Sequence, residues 1–262
     1  MINFDLTVPD YAYMFGFFQA DGHLYQGVGN KGKFTVELSK RDEHILYDFQ
    51  KLIPEYSSIR YRVRDTNFKD DYQSCILTVS DLGFRTLLSN MGVPYGKKSE
   101  FIKPPTVPFS RIDYIRGLID GNGSLGLTAK GLPFISLTTF SDFTAADYKD
   151  FIFEHTGISN NANRNKRDNI YNIGMLNENA QNLCIILYPP GCLCLKRKLL
   201  EVQKLLIWKR PDNWRKKLTQ KSWTEEQDNY IKEHSEQESM DFLKRSKQSV
   251  LLRLWRLKKC MN

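Results

Sequence analysis

Two stretches decide the reading of this chain: FGFFQADGHL, from Phe15 to Leu24, and RGLIDGNGSL, from Arg116 to Leu125. They start 101 residues apart. Each comes after an Asp-Tyr pair suited to a helix start, Asp10-Tyr11 and Asp113-Tyr114. Each closes on a small residue, a polar residue and a glycine. Repetition at a fixed interval comes first in reading a sequence, because it marks units that fold alike. The segments downstream of the two copies also repeat. Lys33–Ser39 and Pro133–Thr138 alternate apolar and polar residues as strands do. Helical stretches then run over Arg41–Leu52 and Phe143–His155. Strand-like runs return at Ile59–Val63, Cys75–Ser80 and Ile170–Leu176, and helical runs close the units at Leu82–Met91 and Asn177–Leu187.

Between the units, Lys103–Arg111 holds three prolines, which makes a stiff extended linker. The expected fold class is α+β: two pseudo-symmetric tandem halves with antiparallel sheets, plus a small C-terminal helical unit. The expected boundaries are 1–102 for the first half, 103–111 for the linker, 112–208 for the second half and 209–262 for a basic tail.

The repeated stretches carry small residues four apart, Gly16 and Ala20 in one, Gly117 and Gly121 in the other. Residues at that spacing share a helix face. Glycine inside a helix costs about 0.5 to 1 kcal/mol relative to alanine, so the pattern asks for a compensating contact. The obvious one is each helix against the other, backbone to backbone. At the helix ends, Asp21 precedes Gly22 and Asn122 precedes Gly123. Glycine is favoured just past a helix end. A carboxylate there faces the negative end of the helix dipole, and a cation beside it removes the penalty. Paired helices bring Asp21 and Asn122 to one end of a seam, where hard oxygen ligands suit Mg2+. Asp120, two residues from Asn122, is expected on another side of its helix, in a helix-end or strand contact.

The net charge is +8. From Lys209 onward there are 14 Lys and Arg against 8 Asp and Glu, whereas the first 208 residues carry 24 against 22. A basic tail on a nearly neutral body suits a polyanionic partner. In the body, Arg60, Arg62 and Arg64 alternate with Tyr61 and Val63, which places three guanidinium groups on one strand face. Arg164 and Lys166 are expected to repeat this in the second half, with Lys31 and Lys33 near strand ends. Such a face can track a duplex groove, and arginine reads guanine edges there.

The repeated stretches resemble the LAGLIDADG motif, whose last acidic residue binds catalytic metal. GLIDGNG departs from it at that last position. Gly92–Ser99 resembles the family's Gly-x-x-x-x-Lys-Ser element, and Tyr188–Lys198 its Tyr-Pro and Leu-Lys-Arg-Lys element. The resemblance covers about the first 208 residues. It implies a homing endonuclease: a metal-dependent hydrolase of phosphodiesters, intron-encoded, monomeric, acting on a long specific site in double-stranded DNA. Its implied catalytic residues are Asp21, Asn122, Lys98 and Lys196. The implied metal ligands are Asp21 and Asn122 with Ala20 and Gly121, for Mg2+ or Mn2+, with Ca2+ able to occupy the site without supporting cleavage. Asn122 supplies an amide where a second carboxylate is expected. Three readings stay open: a substitution that traps uncut DNA, a natural variant that still cuts or nicks, or a scaffold that has lost nuclease function. The last leaves a DNA-binding regulator or an RNA-splicing maturase acting on intron RNA.

The tail resembles a Myb-like helix-turn-helix unit over about 40 residues. Ser222–Glu226 reads as a helix start. Trp223 and Trp255 are expected in its core with Val250, Leu251, Leu254 and Leu257, and the last helix enters the major groove. Lys247, Gln248, Arg253 and Arg256 are expected to face DNA. The odd, irregular set of five cysteines reads as free thiols in a reducing compartment. No run of about 18 apolar residues suggests a membrane span. The N-terminus lacks a secretory pattern, so an intracellular location is expected.

Overall fold

The computed structural model describes residues 4–66, 69–211, 223–245 and 247–259. The chain divides into two compact units, Met1–Lys209 and Arg210–Asn262.

At the centre of the first unit lie two helices, α1 (Pro9–Asp21) and α4 (Arg111–Asn122). Neither is amphipathic. Eight consecutive residues are buried in each, Ala12–Gln19 and Asp113–Asp120. A helix buried on every side belongs inside a core, and the polar residues that α4 buries there are paired, Arg116 with Asp113. Pro9 starts α1, where its missing N–H costs nothing. The helices touch at their backbones. A Cβ added at Gly16 would overlap the Tyr114 carbonyl oxygen, and one at Gly117 would overlap that of Tyr13. One turn further on, a Cβ at Gly121 would overlap the Ala20 methyl.

Each central helix runs straight into a strand. Gly22 and Gly123 are extended (φ −69° and −99°), not left-handed as a glycine helix stop leads one to expect. Their requirement is space: a Cβ on Gly22 would lie 2.6 Å from the Phe34 ring, and one on Gly123 2.8 Å from the Ser136 carbonyl oxygen.

The first sheet has the order β1-β2-β4-β3, all antiparallel, from β1 (Gly22–Tyr25), β2 (Lys33–Ser39), β3 (Ser57–Thr66) and β4 (Lys69–Val79). Its inner face buries Phe34, Val36, Leu77 and Val79 against α1 and α2 (Glu43–Leu52). Phe18 packs on Phe34 and Phe49 at 4.5 and 5.3 Å between ring centres. The helix α3 (Leu82–Met91) closes this half on a left-handed Gly92.

The second sheet, β5-β6-β7, comprises β5 (Gly123–Leu127), β6 (Pro133–Thr139) and β7 (Tyr171–Leu176). Ile135, Leu137 and Ile173 face α4, α5 (Asp142–Thr156) and α6 (Asn177–Leu187). Residues 157–170 come after α5 where β3 comes after α2 in the first half. They form a loop closed by the Asn165 N–H donating to the Ile170 carbonyl. A further helix, α7 (Lys196–Leu206), packs along β5; the sequence patterns gave it no separate element. The fold is mixed α and β with antiparallel sheets, as the alternating patterns required.

The second unit contains α8 (Glu225–Glu233), α9 (Glu236–Leu243) and α10 (Lys247–Lys259). Thr224 caps α8, and Ser235 with Glu238 forms a reciprocal capping box on α9. Ser222, expected in the helix start, lies outside the described residues. Ile231 and Val250 are buried. Trp255 is not in the core: it is 58% exposed, and Leu251 is 45% exposed. With three short helices among the described residues there is little interior, and Trp223 packs instead under the guanidinium groups of Arg245 and Arg253.

The α1–α4 contact leaves no room for a methyl. Gly117→Ala is expected to destabilise the first unit by about 1 to 3 kcal/mol or more, as overpacking does. Urea denaturation of the two proteins measures this; equal midpoints would show that the helices can part without cost.

Candidate active site

The seam between α1 and α4 is held by a crossed pair of hydrogen bonds. Tyr13 on α1 donates to Asp120 Oδ2 on α4 at 2.7 Å, and Tyr114 on α4 donates to Gln19 Oε1 on α1 at 2.6 Å. Tyr13 and Tyr114 stand 101 residues apart, as do Gln19 and Asp120. All four are buried. Gln19 then donates through Nε2 to the carbonyls of Gly92 (2.8 Å) and Lys103 (2.9 Å), fastening the linker to α1. Asp120 accepts also from Tyr188 Oη and from the Leu195 N–H, both at 2.7 Å. Asp120 thus faces the interior between elements.

Two lysines close the helix ends. Lys98 Nζ donates to the carbonyls of Gln19 and of Ala20, the latter at 2.5 Å. Lys198 Nζ donates to the carbonyls of Ile119, Asp120 (2.9 Å) and Gly123 (3.0 Å). A cation among the last carbonyls of a helix is well placed against the dipole. Burial pushes both ammonium groups down to about 8, opposed by Asp21 beside Lys98 and by Asp120 beside Lys198. The counterpart of Lys98 is therefore Lys198. Lys196, which the resemblance implies to be catalytic, is an exposed residue on the first turn of α7, and its N–H donates to His44 Nε2 at 3.2 Å. Helical phase separates them: two positions along α7 turn a side chain to roughly the opposite face.

Asp21 and Asn122 end their helices and are both exposed. The Asp21 carboxyl carbon would lie 3.7 Å from a Cβ on Gly121, so the carboxylate sits against the neighbouring helix end. The protein packed around it raises its pKa, while Lys98, Lys198 and Arg197 pull it down. Arg197 is itself held by the buried Asp42 carboxylate through Nε, at 3.1 and 3.0 Å, a link between the two halves. Among the described residues no group of three or more His, Cys, Asp or Glu is arranged to hold a metal ion. The donors at the seam are one carboxylate (Asp21), one amide oxygen (Asn122) and backbone carbonyls. The Ala20 carbonyl already has the Lys98 ammonium as its partner.

The register places Arg60, Arg62 and Arg64 on the outer face of the first sheet, opposite Ile76, Ser74 and Tyr72. Lys33 lies on the same sheet, opposite Tyr25. All three arginines are exposed, and Arg64 reaches Glu37 at 3.3 Å. Lys31 is exposed in a short 3-10 turn (Gly29–Lys31) that buried Arg85 holds by donating to the Gly29 carbonyl. Arg164 does not repeat the arginine row. It lies in the 157–170 loop and donates to the carbonyls of Asn169 (2.7 Å) and Phe140 (2.8 Å) and to Asp142 (2.9 Å), with Phe140 and Tyr171 rings at 4.8 Å. Its guanidinium is used to shape a loop, because no strand exists there to carry it outward. Lys166 in the same loop is exposed, and it too sits off any strand.

In the tail, Arg253 is also turned inward: it grips Asp228 at 2.7 and 2.5 Å. Lys247 is exposed and pairs with Glu236 at 3.1 Å. The side chains of Gln248 and Arg256 lie outside the described residues. Cys75, Cys184, Cys192 and Cys194 are free thiols. Among the described residues no helix is long and apolar enough to cross a membrane.

Residues 9–92 match the family profile described as the LAGLIDADG-like domain. Among solved structures, the chain is similar to the homing endonuclease I-WcaI bound to its DNA recognition sequence, with 12% identity and a TM-score of 0.53, over 75% of this chain and 87% of that one. It is similar also to I-SmaMI bound to an uncleaved DNA target in the presence of calcium ions, with 11% identity and a TM-score of 0.50, over 76% of this chain and 91% of that one. No curated protein sequence matches it. Residues 9–92 are thus similar to the LAGLIDADG-like domain, and the fold of the chain is similar to that of the homing endonuclease I-WcaI and of I-SmaMI.

Asp120 is the acceptor for three buried donors. Asp120→Ala is expected to cost about 3 kcal/mol or more, since each buried donor left unsatisfied costs about 1 to 3 kcal/mol. Asp120→Asn, which keeps one acceptor oxygen, should cost less. Urea or thermal denaturation reads both; a neutral Asp120→Ala would mean that water replaces the carboxylate.

Proposed function

We propose that this chain is a site-specific double-stranded DNA endonuclease, a monomeric LAGLIDADG homing endonuclease whose single carboxylate at the helix seam makes it slow or a nickase. The observation that carries this is the meeting of the Asp21 and Asn122 helix ends between two lysines, beside an arginine-bearing sheet. In this reading residues 1–102 and 112–208 are the two halves, joined by 103–111. The arginine row with Lys31 and Lys33 binds phosphate and base edges of a long duplex site. The shared fold supports it, and I-SmaMI and I-WcaI are both described bound to DNA.

A divalent cation fits the seam once, not twice: Asp21 supplies a carboxylate, Asn122 an amide oxygen and Gly121 a backbone carbonyl, a set suited to Mg2+ or Mn2+ completed by phosphate and water. When bound, such an ion supplies positive charge at the phosphate and lowers the pKa of water. The protein's own part is positioning. Lys98 and Lys198 tie down the last carbonyls of α1 and α4, which fixes where Asp21 and Asn122 project. Their charge keeps the Asp21 carboxyl inclined to ionise against the effect of its surroundings. Arg197, braced by Asp42, adds a third cation on the Asp21 side.

A second reading, a DNA-binding protein that does not cut, is favoured by one specific observation: Asn122 leaves the second helix end without a carboxylate. Cleavage of a selected duplex in Mg2+ separates the two. Asp21→Asn should lower the rate by about a hundredfold or more with DNA binding kept, the scale of losing a group that acts at the transition state. Asn122→Asp should raise the rate, or convert nicks into double-strand breaks. A wild-type protein that binds but leaves both strands intact, and is unchanged by Asn122→Asp, would establish the second reading.

The tail is proposed to bind DNA as a helix-turn-helix, with α9 and α10 joined by a turn at Lys244 (φ 48°). Removing residues 210–262 should weaken duplex binding and flatten its dependence on salt, because fewer phosphates are neutralised. Identical affinity and salt slope would assign the tail another task.

A further inference from the structure

The outer faces of the two sheets differ in chemistry. In the first sheet that face carries Arg60, Arg62 and Arg64. In the second, the register puts Ser124, Ser136 and Gly174 in one row, Phe134 and Leu176 in the next, and Thr138 with Asn172 in a third. None of these is charged. A shallow hollow of about 440 Å³ opens on this face, lined by Thr128, Phe134, Ser136, Asn172, Gly174 and Leu176 among others. Gly174 helps to shape it: a Cβ there would press on Ser136 Cβ at 3.3 Å. Leu176 is 51% exposed and Asn172 is exposed. At the β5 edge stands Glu201, 3.7 Å from a Cβ on Gly126 and paired with Lys204 at 2.6 Å. A phosphate backbone therefore finds no cation in these rows and meets the Glu201–Lys204 ion pair at the rim.

The helices that lead into the two sheets, α1 and α4, are paired, and in the endonuclease reading one duplex spans both faces. The second face offers groups suited to base edges of one kind. An amide pairs with adenine N6 and N7, and apolar side chains contact the 5-methyl group of thymine. Arginine on the first face pairs with guanine.

Resting on the endonuclease reading, we propose that the second sheet reads an A·T-rich half-site in the major groove, Asn172 pairing with adenine and Phe134 and Leu176 packing on thymine methyls. The first sheet reads the guanine-containing half. The two halves of one molecule thus divide the target by chemistry, electrostatic and hydrogen-bonded on one side, apolar on the other.

The test begins with the full chain and a pool of randomised DNA duplexes, from which bound members are selected and sequenced. The expected site has one A·T-rich part whose preference is relaxed by Asn172→Ala and by Leu176→Ser, and another part relaxed by Arg60→Ala and Arg62→Ala. Replacing thymine by uracil in the first part removes only methyl groups and should weaken binding about fourfold for each methyl contacted, while the same change in the other part stays within about twofold. A part governed by Asn172 and Leu176 that is G·C-rich, or indifferent to uracil, overturns this inference and leaves DNA recognition standing. A pool with no enriched duplex overturns the proposed function itself, and this inference with it.

Discussion

The constraint on which the rest depends is the distance between two helix backbones. Gly16 and Gly117 let α1 and α4 meet with no side chain between them, and Tyr13 and Tyr114 then reach across to Asp120 and Gln19. Hydrogen bonds of this kind contribute modestly when made and are expensive to leave unmade in a buried seam. The contact therefore specifies one relative placement of the two halves. Gln19 extends that placement to the linker, through Lys103, and Asp120 extends it to the segment before α7, through Leu195. The apolar surroundings add the bulk of the burial, but they would tolerate sliding; the crossed tyrosines would not.

Everything at the candidate active site inherits this geometry. Because the helices are in contact to their last turn, Asp21 lies against Gly121, and the ends of both helices crowd their carbonyls into one place. Crowded carbonyls attract cations, and the protein provides two buried ammonium groups for them. Burial alone would push those lysines toward neutrality, and the carboxylates nearby resist it. The pseudo-symmetry is strong in the backbone and weaker in the chemistry. Where one helix ends in an acid, the other ends in an amide; where Gln19 donates, Asp120 only accepts.

The same divergence holds further out. The first sheet ends in a long edge strand, β3, that displays arginines. The second keeps β7 as the counterpart of β4 but has a loop in place of β3, in which Arg164 is consumed by carbonyls, Asp142 and two aromatic rings. Two related halves have thus acquired different surfaces on one frame.

Much of this was legible in the residues. The 101-residue interval of the motifs, their small residues four apart and the alternating runs after them pointed to the helix pair and to β2, β3, β4, β6 and β7, because periodicity reports local geometry directly, while the short β1 and β5 and the helix α7 carried no such pattern. Even the crossed tyrosines carry a signal in the chain, the same interval between Tyr13 and Tyr114 and between Gln19 and Asp120. Only the tertiary structure decided the direction of individual side chains. Lys196 and Lys198 differ by two positions, and the rotation of α7 against α4 alone says which one reaches the helix end. The local pattern turns Arg164 and Arg253 toward DNA and Trp255 toward a core, and the structure turns each the other way. Their surroundings, Asp142, Asp228 and the scant interior of a three-helix unit, lie at distances in sequence that no local pattern spans.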